Sequence, residues 1–151
     1  MARGKKVEII KTIVIDASVV SRWYLDEEWT DFAIDLRSDY QGGKLRLIAP
    51  YLLYYEVGNA LRFSKDLTQA DIIDALKALL KTQINIIFFD EDLIGKITEI
   101  AFLNNITVYD SSYCAIAEEY GYKFITGDES LKKKVNKPYF FSLKDYEFNK
   151  I

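Results

Sequence analysis

The chain has 151 residues, half of them hydrophobic and 15% aromatic, with a net charge of −3; that is enough apolar material for one sizeable core, and it argues against holding nucleic acid by bulk positive charge. There is no histidine and a single cysteine, which excludes Ser-His-Asp and Cys-His catalysis, a His/Cys zinc site and an internal disulfide. No apolar stretch approaches the roughly 18 to 20 residues of a membrane span, and the basic start MARGKKVEIIK carries no signal-peptide cleavage pattern. One cytoplasmic domain over residues 1–151 is expected, without membrane association and with residues 1–6 as a flexible basic N-terminus.

Residues 7–15 are rich in β-branched side chains and predict a buried first strand, followed directly by Asp16. Residues 17–25 and 30–40 read as helices, the second closed by Gly42-Gly43. A short strand is predicted at 45–48, stopped by Pro50. A helix follows over 52–63, where Leu52, Leu53, Val57, Ala60 and Leu61 recur at helical spacing and Glu56 and Asn59 share a face. Thr68 caps a helix over 68–81.

The second half repeats the alternation: a strand at 84–89, a helix at 93–103, an extended run at 106–109, and a helix from Asp110 to Tyr120 ended by Gly121. Residues 123–126 form a strand, Gly127-Asp128 a turn, 129–134 a short helix and 139–143 a last strand. Strands alternating with helices imply an α/β domain, its mostly parallel central sheet covered by helices on both faces. Cys114 falls within the apolar run YCAIA and reads as core, not as a nucleophile.

Asp16, Asp110 and Asp128 each stand at or just past the end of a short apolar run, and Glu56 interrupts the otherwise apolar PYLLYYEVGNAL. In a parallel sheet such strand ends share one edge, where ligands bind. Four carboxylates converging there make a pocket for a divalent cation, and with oxygen as the only donor the choice falls on magnesium or manganese. Taken singly, each aspartate reads equally well as a helix cap. Asp90-Glu91-Asp92, which also follows an apolar run and opens a helix, reads as capping alone. Basic residues flank three of the four positions: Arg22 after Asp16, Arg62 and Lys65 after Glu56, and Lys132, Lys133, Lys134 and Lys137 after Asp128. They suit either a phosphate backbone crossing the pocket or a solvated surface.

In this order and at these spacings, the segments resemble the PIN-domain nucleases, in particular the VapC-like toxins, over most of the chain. The resemblance rests on Asp16 with Ser18 two places on, on Glu56 before Asn59-Ala60-Leu61, on Asp110 with Tyr113, Ala115, Ala117 and Glu118, and on Thr126-Gly127-Asp128. Asp90 to Asp92 have no counterpart there, and Ser111-Ser112 replace more apolar residues. What the resemblance implies is a PIN-like three-layer α/β/α sandwich and a metal-dependent endoribonuclease. It also implies an RNA substrate, a VapB-like antitoxin that blocks the site, and a homodimer.

On that basis Asp16, Asp110 and Asp128 are placed as ligands of Mg2+ or Mn2+, with Glu56 as a further ligand or as the group that orients the attacking water. Ser18, Asn59 and Thr126 would hold the carboxylates, and Arg22, Arg62, Lys132 and Lys133 would contact the RNA backbone. The alternatives are an RNA-processing nuclease outside a toxin-antitoxin pair, a module that binds RNA or a partner through a vestigial site, and a small-molecule phosphatase. The last lacks both a D-x-D motif and a Gly-rich phosphate loop.

Overall fold

The computed structural model describes residue 4 and residues 10–151. The first strand occupies Lys11–Ile15 (β1); the predicted basic segment apart from Gly4, and the predicted strand positions 7–9, lie outside the described residues. Four further strands follow, Leu45–Pro50 (β2), Asn85–Ile87 (β3), Lys123–Thr126 (β4) and Phe140–Ser142 (β5). All pair in parallel, in the order β3-β2-β1-β4-β5. The order reverses direction between β1 and β4, a switch point of the kind at which parallel sheets bind ligands beyond the carboxyl ends of their strands.

Seven helices connect the strands. Ala17–Val20 (α1) and Thr30–Gln41 (α2) lie between β1 and β2, and Leu52–Arg62 (α3) and Gln69–Lys81 (α4) between β2 and β3. Glu91–Asn104 (α5) and Val108–Tyr120 (α6) lead from β3 to β4, and Glu129–Lys134 (α7) from β4 to β5. Parallel crossovers are right-handed, so the steps from β1 to β3 and the return from β3 to β4 put their helices on opposite faces of the sheet. The result is the three-layer α/β/α arrangement expected from the alternation. Among the described residues no helix is long and apolar enough to cross a membrane.

Local chemistry explains most of the helix boundaries. Thr68 and Asp71 form a reciprocal capping box at the start of α4, with Asp71 N–H donating to Thr68 Oγ1 at 3.2 Å and Thr68 N–H donating to Asp71 Oδ2 at 2.8 Å. Gly121 ends α6 with φ of 70°, where a side chain would be strained. Asp90 caps α5 through Leu93 N–H at 3.1 Å, as its capping reading requires. The region predicted as one helix over 17–25 is the short α1 followed by a tighter turn at Ser21–Trp23.

One element differs in kind. Residues 106–109 form no strand: α5 ends with Asn105 in the left-handed region at φ of 51°, and α6 begins at Val108, capped by Thr107. Val108 and Tyr109 are exposed. Thr107 Oγ1 accepts the N–H of Asp110 at 3.0 Å and captures the backbone for helix before four residues of extended chain can pair.

The core joins β1, β2 and β4 to the inner faces of α1, α3, α5 and α6. Tyr113 and Phe124 stack within it at 5.8 Å and 7°, and Phe124 stacks in turn on Phe140 at 4.5 Å. Ser111 is wholly buried and donates to Ile97 O at 2.8 Å, so a small polar residue stands where α6 crosses α5. Cys114 is also wholly buried, and burial pushes its thiol up to about 12, as a core residue requires.

Candidate active site

Asp16 leaves β1 in extended conformation and caps α1. The β1–β4 register aligns Ile15 with Ile125, so the next residue on each chain, Asp16 and Thr126, meet at the switch point. Thr126 donates its hydroxyl to Asp16 Oδ2 at 2.5 Å. Asp16 Oδ1 accepts from the Ser18 hydroxyl and from the backbone N–H groups of Ser18, at 3.1 Å, and Val19, at 3.4 Å. The carboxyl group is almost enclosed, with the residue 7% exposed. Burial raises its pKa from 3.8 to about 6, and the charge of Glu56 adds to the rise; the Ser18 and Thr126 hydroxyls and Val19 N–H oppose it.

The two hydroxyls also shape the turn after β4. Ser18 Oγ accepts from Gly127 N–H at 2.7 Å and lies 3.2 Å from Thr126 Oγ1, which accepts from Asp128 N–H at 3.0 Å. Asp128 then caps α7 through Leu131 N–H at 3.0 Å. Capping and site geometry are not competing roles here, since Asp16 and Asp128 are aimed by the helices they cap.

Asp110 is the third residue of α6, half-buried, where the sequence placed it at the helix start. Burial raises its pKa first, then the charge of Asp128, against the Thr107 hydroxyl and Lys134. Asp110, Asp128, Thr107, Ser130 and Lys134 line one cleft of about 120 Å³. Glu56 projects from the middle of α3 and accepts the Tyr113 hydroxyl at 2.6 Å. Its pKa is raised by burial and by Asp110, with the Tyr113 hydrogen bond opposing.

The four carboxylates thus form an electrostatic chain in which Glu56 acts on Asp16, Asp110 on Glu56 and Asp128 on Asp110. Among the described residues no three Asp, Glu, His or Cys side chains are gathered closely enough to hold an ion. As a donor set, four carboxylates with flanking hydroxyls and no imidazole or thiolate suit a hard divalent cation, whose charge relieves the repulsion.

The other residues singled out in the sequence fall differently. Arg22 turns inward: its guanidinium donates to Ser18 O and, at 2.8 Å, to Glu28 O, and it covers Gly127 where a Cβ would lie. Arg62, Lys133 and Asn59 are exposed and Lys132 is half-buried; among the described residues no side-chain hydrogen bond joins Asn59 to Glu56. Lys134 is the cation that lines the cleft. In the sequence it is one of the lysines that follow Asp128.

The PIN domain family model matches residues 13–137, a span that holds all four carboxylates. Comparison with curated protein sequences gives no significant match. Several solved structures are similar. PAE2754 from Pyrobaculum aerophilum shares 22% identity at a TM-score of 0.65, covering 89% of this chain and 85% of its own. VapC20 from Mycobacterium tuberculosis, described as a sarcin-ricin loop cleaving toxin, shares 13% identity at 0.63, covering 82% and 95%. A toxin-antitoxin complex from Klebsiella pneumoniae shares 13% identity at 0.65, covering 89% and 98%. At these identities the likeness is one of fold.

Proposed function

The chain belongs to the PIN domain family, and from that premise we propose that it is a metal-dependent endoribonuclease, the toxin of a VapBC-type toxin-antitoxin pair, acting in the cytoplasm. The observation that carries the reading is geometric: Thr126 joins Asp16 to the backbone of Asp128, Asp128 shares one cleft with Asp110, and Glu56 is hydrogen-bonded by Tyr113, one helical turn from Asp110. Asp16, Asp110 and Asp128 would hold Mg2+ or Mn2+, with Glu56 either completing that set or orienting the attacking water. When bound, the ion supplies positive charge that polarises the scissile phosphate and stabilises charge on the leaving oxygen.

The remaining work belongs to the protein. Ser18 and Thr126 hold Asp16 in one orientation through both carboxylate oxygens, and Thr107 and Asp128 set the entry angles of α6 and α7. Lys134, with Lys132, Lys133 and Arg62 further out, would receive the phosphate backbone, while Arg22 packs over Gly127 beside Asp128. Water attacking phosphorus in line with the leaving oxygen forms one P–O bond as another breaks, which leaves a phosphate on one fragment and, once the leaving oxygen takes up a proton, a hydroxyl on the other.

Two partners complete the proposal. A VapB-like antitoxin is supported by the toxin-antitoxin complex from Klebsiella pneumoniae among proteins of this fold. A homodimer is supported by an apolar groove of about 290 Å³ whose walls include Tyr51, Phe88, Phe89, Val108 and Tyr109. Tyr51 stacks on Phe88 at 5.4 Å there, and Tyr55 beside it is exposed.

Incubating purified protein with labelled structured RNA and with DNA of the same sequence, in manganese and in EDTA, tests the substrate class. Metal-dependent cutting of RNA alone supports the reading. Cutting of DNA alone, or equal cutting in EDTA, contradicts it.

A further inference from the structure

Tyr113 has no part in the chemistry described so far. It is 1% exposed, lies one helical turn from Asp110 on α6, and donates its hydroxyl to Glu56 Oε1 on α3 at 2.6 Å. Its ring lies parallel to Phe124 of β4, and that ring is stacked on Phe140 of β5. The hydroxyl is therefore fixed by the sheet itself. Glu56, by contrast, has a long side chain on a separate helix, and the Tyr113 hydroxyl is the one side-chain hydrogen bond that holds it among the described residues.

We propose that Tyr113 is a positioning residue that fixes Glu56 by one carboxylate oxygen and leaves the other for the site between Asp16 and Asp110. The inference rests on the nuclease reading for its consequence in catalysis, and on the hydrogen bond for its geometry. A phenylalanine would fill the same volume against Phe124, so packing alone does not call for the hydroxyl. Without it, Glu56 has several rotamers to choose among and must be ordered when the ion binds. Partners that orient a metal-binding carboxylate typically matter by about 10- to 100-fold in affinity or activity.

The test is Tyr113→Phe, alone and combined with Glu56→Gln, read by manganese-binding calorimetry and by the kcat and KM of RNA cleavage, with near-ultraviolet circular dichroism to report folding. The expected result is a folded variant with manganese affinity weakened about 10-fold or more, a lower kcat, an unchanged KM, and no further loss when Glu56 is already Gln. Unchanged manganese affinity in a folded variant overturns the proposal, as does a Phe variant that fails to fold, since the hydroxyl would then serve the core. If a further loss appears in the Glu56→Gln background, Tyr113 acts through another group and the proposal also fails. Should the parent bind manganese in a Tyr113-dependent way yet cut no RNA, the nuclease reading fails and the positioning role stands.

Discussion

Thr126 donates its hydroxyl to Asp16 Oδ2 at 2.5 Å across 110 residues of sequence, joining the ends of the two strands between which the sheet reverses direction. The same Thr126 oxygen accepts Asp128 N–H, so one side chain sets two members of the carboxylate chain. Thr126→Val leaves both groups without that partner in a buried setting, which costs roughly 1 to 3 kcal/mol. Thr126→Ser restores most of it. Chemical denaturation of the two variants checks the difference, and equal stability would show that the hydroxyl is dispensable.

Asp16 makes metal-free stability depend on pH. Its pKa is raised on folding from 3.8 to about 6, so between those values the folded protein holds a proton that the unfolded chain releases. The contribution of Asp16 to stability in EDTA is fullest below pH 4, falls as the pH rises towards 6, and then levels off. The loss is about 3 kcal/mol, at about 1.36 kcal/mol for each tenfold change in proton affinity. Asp16→Asn keeps the shape without the charge, so in EDTA it melts above the parent at pH 7.5 and close to it at pH 4. A variant that melts below the parent at both values would contradict the assignment.

Gly127 is needed because the Arg22 guanidinium, anchored on Ser18 O and Glu28 O, lies where a Cβ would stand, with Ser18 Oγ also 3.2 Å from that point. Gly127→Ala crowds both, an overpacking penalty of roughly 1 to 3 kcal/mol. In an Arg22→Ala background the penalty shrinks, and a double-mutant cycle by thermal unfolding measures the coupling. A full penalty without Arg22 would place the crowding elsewhere.

Manganese binding only to the folded state raises its stability by mass action, about 2.7 kcal/mol at a hundred times Kd. For a chain of this size each kcal/mol moves Tm by roughly 2 to 4 °C. Asp110→Asn, which removes a charge acting on Glu56, is expected to blunt the rise. Identical melting curves in manganese and EDTA would show that the carboxylates do not close on an ion.

Where punctuation is local, the sequence reads well: β4 and α7 fall at 123–126 and 129–134 as expected, because Gly121, Gly127 and Asp128 carry the backbone chemistry of their own turns. The run Ile106–Tyr109 misleads because β-branched and aromatic side chains mimic a strand, while Thr107 settles the matter by capping α6. Asp110 therefore lines its cleft from inside a helix and not from a strand end. Arg22 and Tyr113 show what local patterns lack. Each is defined by a partner in a distant element, Gly127 for one and Glu56 for the other, and spacing along one helix does not reveal such a pair.

The most direct test of the account is cleavage of a labelled structured RNA pool by the purified protein in manganese, magnesium and EDTA, with Asp16→Asn and Asp110→Asn assayed alongside. The account predicts cutting that requires the metal and is lost in both variants while both stay folded. Cutting that persists in either variant, or intact RNA in every lane despite measured metal binding, would contradict it.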